Sequence, residues 1–241
     1  MTILFCGDSH GQFTHIIEAF QEHRPAAVIL LGDMQAQRSV HIELEPILRQ
    51  TEIWFIHGNH DPDSDADHDH LFDPALADRN LHAKLVFIAG LRIAGLGGVF
   101  RRKVWTPPAP ATFESPKQYL ARCGKGNFWR GGLPLTHRST FFPVDYSRLA
   151  GERADILITH EAPSAHPHGF AAIDKLASRL GVTTSFHGHH HDRLDYPAER
   201  TRLGFDAFGV GLCGITDQDG RVIRAGEDYD TPAYRNLGRR S

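Results

Sequence analysis

The chain has 241 residues, with 26 Lys and Arg against 29 Asp and Glu and a formal net charge of -3. That length fits one α/β domain with a buried core, and the near balance of charge excludes a nucleic-acid-binding surface spread over the whole molecule. Cys6, Cys123 and Cys213 share no metal-ligand spacing and argue against a disulfide framework. With no basic segment or long apolar run near the amino terminus, the expectation is a cytoplasmic protein without signal peptide or membrane span.

Leu4-Phe5-Cys6 predicts a strand that stops at Gly7-Asp8-Ser9-His10-Gly11. Phe13, Ile16, Ile17 and Phe20 fall at helical spacing and predict a helix over 12–23. A second strand over 28–31 ends at Gly32-Asp33, and this βαβ unit implies a parallel pair with a right-handed crossover. A helix is expected over 39–50, its course perturbed by Pro46. The strand over 53–57 then stops at Gly58-Asn59-His60-Asp61. Residues 61–70 alternate Asp with Pro, Ser and His and read as a solvated acidic loop, because they have no face to bury.

Residues 85–89 and 91–96 predict two strands joined at Gly90. From 99 to 146 the periodicity fails. This stretch gathers Arg101, Arg102, Lys103, Lys117, Arg122, Lys125, Arg130 and Arg138 against Glu114 and Asp145, with seven aromatics from Trp105 to Phe142 among them. Basic side chains interleaved with aromatics suit a polyanion whose bases stack, so the segment reads as a cap or substrate rim inserted in a single domain spanning 1–241. Arg101, Arg102 and Lys103 are its candidate substrate-binding residues. The alternative is an excursion that packs on the sheet with its charges in water.

A strand over 155–159 resumes the sheet and ends at His160-Glu161, a helix covers 171–180, and a strand over 184–187 leads to Gly188-His189-His190-His191. Residues 202–215 and a hairpin at Asp219-Gly220 read as closing antiparallel strands, and the tail from Gly226 as polar, extended chain. Five strand ends therefore present Asp, Asn or His, at the edge where open α/β sheets keep their chemistry. Oxygen and imidazole donors without thiolate favour Mn, Fe, Zn or Ni. A carboxylate placed as Asp33 is can bridge two such ions about 3.5 to 4 Å apart. Asp8 and His10 leave one turn two residues apart and can face the same ion; Asn59, His160, His189 and His191 complete the set.

The ordered motifs GDSHG, GD, GNHD, TH and GHHH, covering residues 1 to about 192, resemble the calcineurin-like metallophosphoesterases. The resemblance implies a four-layer α/β/β/α sandwich with its site at strand carboxyl ends. It also implies one ion on Asp8, His10, Asp33 and His191, a second on Asp33, Asn59, His160 and His189, and His60 unligated beside them. Two cations lower the pKa of a shared water, and the hydroxide attacks phosphorus in line. His60 is then expected to protonate the departing oxygen or to stabilise the charge developing there, with Asp61 either orienting its imidazole or capping the loop. His187 and His190 are expected behind the ligands or exposed, and His166 and His168 at the mouth of the site.

The protein-phosphatase branch shows Asp-Arg-Gly after the second motif and Arg before Gly-Asn-His; here the corresponding residues are 34–38 and His57, which lowers that reading. Residues 32–38 with 95–100 are faintly similar to the RNA lariat debranching branch, which cleaves a 2′,5′-phosphodiester, although that branch usually has Cys where this chain has Asp8. The expectation is a phosphodiesterase, with Mn as the favoured metal and a phosphoester substrate that includes nucleotides and nucleic acid. A phosphomonoesterase or nucleotide pyrophosphohydrolase on the same site, and a non-enzymatic protein-binding scaffold, are the alternatives.

Overall fold

A computed structural model describes residues 2–226, so the tail read beyond Gly226 falls outside the described residues. The chain begins with β1 (Ile3–Cys6), α1 (Thr14–His23), β2 (Ala27–Leu30), α2 (Val40–Glu43), α3 (Glu45–Leu48), β3 (Glu52–Phe55) and α4 (Asp65–Leu71). It continues with the hairpin β4 (Lys84–Ile88) and β5 (Leu91–Leu96), then α5 (Pro116–Arg122) and α6 (Pro143–Leu149). The last part holds β6 (Ile156–Thr159), α7 (Ala171–Leu180), β7 (Thr184–His187), β8 (Arg193–Asp195), α8 (Arg200–Leu203), β9 (Asp206–Val210), β10 (Ile215–Asp217) and β11 (Val222–Arg224).

The strands form two mixed sheets, one ordered β11-β10-β1-β2-β3 and the other β4-β5-β6-β7-β9-β8. Within them β1, β2 and β3 are parallel, as are β5, β6, β7 and β9. Alternation along each strand separates three apolar layers. Leu4, Val28, Leu30 and Phe55 pack against Ile16, Phe20, Val40 and Ile47 of the first helices. Ile3, Phe5, Ile29 and Trp54 face Ile93, Ile156, Ile158 and Phe186 of the other sheet, with the rings of Phe5 and Phe186 stacked 4.0 Å apart. Leu96, Leu157 and Ala207 meet Tyr146, Leu149, Ile173 and Leu176. The result is the four-layer α/β/β/α sandwich, each buried Leu, Ile or Phe contributing about 1.5 to 3 kcal/mol.

Four sequence expectations change. The helix over 39–50 is two short helices, because Pro46 has no N–H for the carbonyl one turn back and instead sits in the first turn of α3. The acidic stretch is not a loop throughout: Ser64 caps α4, accepting from Asp67 N at 3.1 Å, and Asp65 and Asp67 occupy the first turn, where the helix dipole favours them. Nor are its charges merely solvated, since Arg130 clasps Asp69 at 2.5 and 2.9 Å and Trp129 Nε1 donates to Asp65 at 2.9 Å. In the segment 99–146, α5 and α6 form, and Phe100, Trp105, Phe141 and Tyr146 pack edge to face with one another, so these rings serve the core rather than a stacking platform. Finally, β9 is parallel to β7, because β8 and α8 provide a crossover; only β8, β10 and β11 close antiparallel. Among the described residues no helix is long and apolar enough to cross a membrane.

Candidate metal centre

Both parallel blocks point their carboxyl ends to one edge, and the turns that leave β1, β2, β3, β6 and β7 meet there. His10, Asp33 and His191 bring donor atoms within 4.8 Å of one another, and so do Asp33, His160 and His189. Asp33 belongs to both groups. Asn59 Oδ1 lies 3.1 Å from His160 Nε2, and Asp8 Oδ1 accepts from His189 N at 3.1 Å and stands 3.8 Å from His160 Nδ1. All seven candidate ligands are thus drawn into one place.

The turns are built for close approach. A Cβ on Gly58 would overlap Asp33 Oδ1, and one on Gly188 would come within 2.7 Å of Asp8 Oδ1, so both motifs require glycine. His10, Asp33, Gln35, His189 and His191 all hold positive φ, between 39° and 73°. Non-glycine residues in that region cost about 1 to 3 kcal/mol each and persist where surrounding structure enforces them. One enforcer is Asp61. Its carboxylate accepts from the amides of Gly58 at 2.7 Å, Met34 at 2.8 Å and Asp33 at 3.0 Å.

This corrects the first role considered for Asp61: committed to backbone amides, its carboxylate holds the Asp33 turn, while the carboxylate on the His60 ring is Asp63, at 2.6 Å from Nδ1. His60 N in turn donates to Asp33 Oδ1 at 2.8 Å. The His10 ring is fixed through Nδ1 by Gln35 Oε1 at 2.5 Å.

Asp8, Asp33 and Asp61 are each 1% exposed or less, so their charges have no water to spread into. Burial, with the charges of Asp33 and Asp61, pushes the Asp8 carboxyl up to about 7 against the pull of His160. Burial opposes ionisation of Asp33 too, but the charge and hydrogen bond of His160 and the His60 amide hold it below the usual carboxylate range. His160 compensates in part: burial alone would lower it, yet Asp33 and Asp8 raise it to about 10. Asp8 Oδ2 remains buried without a hydrogen-bond partner, and Asp33 Oδ2 faces His160 Nε2 at 3.3 Å. Paired buried carboxylates, one with an orphaned oxygen and both ringed by imidazoles, fit a divalent cation.

His187, buried, is satisfied by Gly188 O and the Tyr196 hydroxyl, each at 3.1 Å. His190 stacks on buried His166 with ring centroids 3.9 Å apart, and its donor atoms group with those of His189 and Glu161. Arg101 is half-buried and donates to Ser139 Oγ at 3.0 Å, whereas Arg102 and Lys103 are exposed. Sequence reasoning does not single out Gln35, Asp63 or Glu161. Glu161 adjoins His160, and burial drives its carboxyl up to about 7 against the Phe100 amide it accepts; that adjacency is its only signal.

The sequence matches the family described as calcineurin-like phosphoesterase over residues 1–193. A Haemophilus influenzae protein described as uncharacterized is 42% identical over 221 residues, covering 92% of this chain and 96% of that one. Among solved structures, TT1561 of Thermus thermophilus gives a TM-score of 0.58 at 13% identity, covering 93% of this chain and 98% of that one. A second solved structure gives 0.51 at 12% identity over 92% and 96% of the two chains. At such identities the structural likeness speaks for the fold.

Proposed function

The chain belongs to the calcineurin-like phosphoesterase family, and on that premise we propose that it is a metal-dependent phosphodiesterase. The observation that carries the reading is Asp33, buried and common to both donor groups. In this reading Asp8, His10, Asp33 and His191 hold one divalent ion, and Asp33, Asn59, His160 and His189 hold the other, with Mn favoured over Fe, Zn or Ni. Such ions, when bound, lower the pKa of water and offset phosphoryl charge.

The chain's own residues supply positioning and protons. His60 is half-buried and belongs to neither donor group. Burial lowers its affinity for a proton, but the Asp63 hydrogen bond and the charges of Asp33 and Asp63 more than offset this and raise its pKa. With Nδ1 on Asp63, Nε2 is the atom left to protonate a departing oxygen. The Arg101 guanidinium feels the charges of both Asp63 and Glu161, and its buried Nε lacks a partner. That supports a role in binding substrate phosphate. Residues 99–146 then act as the substrate rim of a single domain.

The test is a matched pair, an aryl phosphodiester and the corresponding monoester, given to protein stripped with chelator and reloaded with Mn²⁺. Faster, metal-dependent diester cleavage is the expected result. Faster monoester cleavage overturns the diester reading, and bound metal with no cleavage of either favours a scaffold.

A further inference from the structure

Beside the metal centre lies a cavity of about 400 Å³ lined by Phe100, Arg101, Arg102, Lys103, Thr136 and His137. Three of its six lining residues are permanent cations and none is a carboxylate. Several cations elsewhere on this surface are paired with acids: Arg130 holds Asp69, Arg92 holds Asp155, and Arg202 holds Glu199. Arg101 reaches no carboxylate within ion-pair distance among the described residues, and its buried Nε has no hydrogen-bond partner. Buried donors left unmade are costly, so a polar partner at this position is favoured.

We propose that this cavity binds a second, non-reacting phosphate of the substrate, a terminal phosphomonoester. This rests on the phosphodiesterase reading and names the substrate class within it: a diester, such as a short nucleotide chain, one arm of which ends in phosphate.

Arg101 joins the two places. It lines the cavity, and the carboxylates whose charge acts on it are Asp63, the partner of His60, and Glu161, next to His160. Phe100, which also lines the cavity, donates its amide to Glu161 at 2.9 Å, and Glu161 groups with His189, so a substrate held by its terminal phosphate would have its diester beside the metal centre. His137 faces the same charges: burial first, then Arg101 and Lys103, lower it to about 4, which keeps the ring neutral beside the cations. Its Nδ1 is shared with Thr140 Oγ1 at 3.1 Å. Three cations lining the cavity with no acid among the lining residues favour a dianion over the single charge of an internal diester.

The experiment compares a 5′-phosphorylated dinucleotide with its 5′-hydroxyl counterpart as substrates for the Mn²⁺-loaded protein and for the R102A/K103A variant. The readout is the ratio of the two KM values within each protein, so that any general loss cancels. The wild-type protein is expected to show KM at least about tenfold lower for the phosphorylated substrate, from one or more charge-assisted hydrogen bonds, and the variant to bring the ratio near one. Equal KM values in the wild type, or an undiminished preference in the variant, would overturn the proposal. Cleavage of neither dinucleotide would count against the diesterase reading instead. In that event calorimetric binding of inorganic pyrophosphate to the metal-stripped protein decides: binding abolished by R102A/K103A upholds the cavity, and no binding removes it.

Discussion

Asp61 fixes Asp33 through the backbone: the Asp61 carboxylate accepts the Asp33 amide at 3.0 Å and the Met34 amide at 2.8 Å, so the carboxylate shared by both donor groups is aimed by another that belongs to neither. Asp61→Asn keeps the shape but turns an amide donor toward these N–H groups. Leaving buried donors unsatisfied costs about 1 to 3 kcal/mol, so the urea midpoint is expected to fall accordingly, and metal affinity with it. A variant with wild-type stability and metal affinity would show that the turn holds itself.

His60→Ala is expected to retain bound metal while turnover drops about 10²- to 10⁴-fold, the range for loss of a general acid. Metal content by atomic absorption and kcat on the aryl diester separate the two effects. Asp63→Asn should give a smaller loss and move the basic limb of the pH–rate profile to lower pH, since the Asp63 bond helps raise His60. Loss of metal from His60→Ala would instead make this residue a ligand.

Asp33→Asn removes the charge common to both donor groups and is expected to abolish tight metal binding. For the wild-type protein, metal that binds only the native state stabilises it by about 2.7 kcal/mol at a free concentration one hundred times Kd. Chelator should therefore lower Tm for the wild type and leave Asp33→Asn where it is. An equal response of the two proteins to chelator would contradict the shared-ligand assignment.

Gly188→Ala places a methyl group against Asp8 Oδ1. Because Asp8 is buried and cannot swing aside into solvent, the variant is expected to lose about 1 to 3 kcal/mol through overpacking, with weakened metal binding. Gly151→Ala, where nothing lies within 4 Å of an added Cβ, is the control and should be close to neutral.

Away from the metal centre, Asp145 gives a pH signature. Burial would raise its pKa, but the charge of His82, 3.7 Å away, and the hydrogen bond from the Phe142 amide outweigh it, so the folded carboxyl lies below its ordinary value of 3.8. The unfolded chain then binds more protons between those two values. The stabilisation is accordingly complete above the ordinary pKa and disappears as pH falls through the folded one. In urea titrations the stability gap between wild type and Asp145→Asn should be full near pH 5 and narrow below pH 4. A gap that widens in acid would reverse the assignment.

The local signals of this chain are strong where chemistry is local. Apolar runs of four or five residues stopped by Gly-Asp, Gly-Asn or Gly-His specify a strand and the polar turn that leaves it, and glycine is required there because Asp8, Asp33 and His160 pack against its Cα. The motifs by themselves therefore specify the strands, the α1 helix and the cluster of donors. They leave undecided what depends on partners distant in the chain. α4 is held in place by Arg130, some sixty residues away; β9 pairs parallel because β8 and α8 carry the chain over; and the rings of Phe100 and Phe141 enter the core because the second sheet offers a face for them. The roles of Asp61 and Asp63 diverge for the same reason. Two carboxylates two residues apart look alike in sequence, and only the fold, by bringing the Asp33 turn over one of them, turns it to the backbone and leaves the other for the His60 ring.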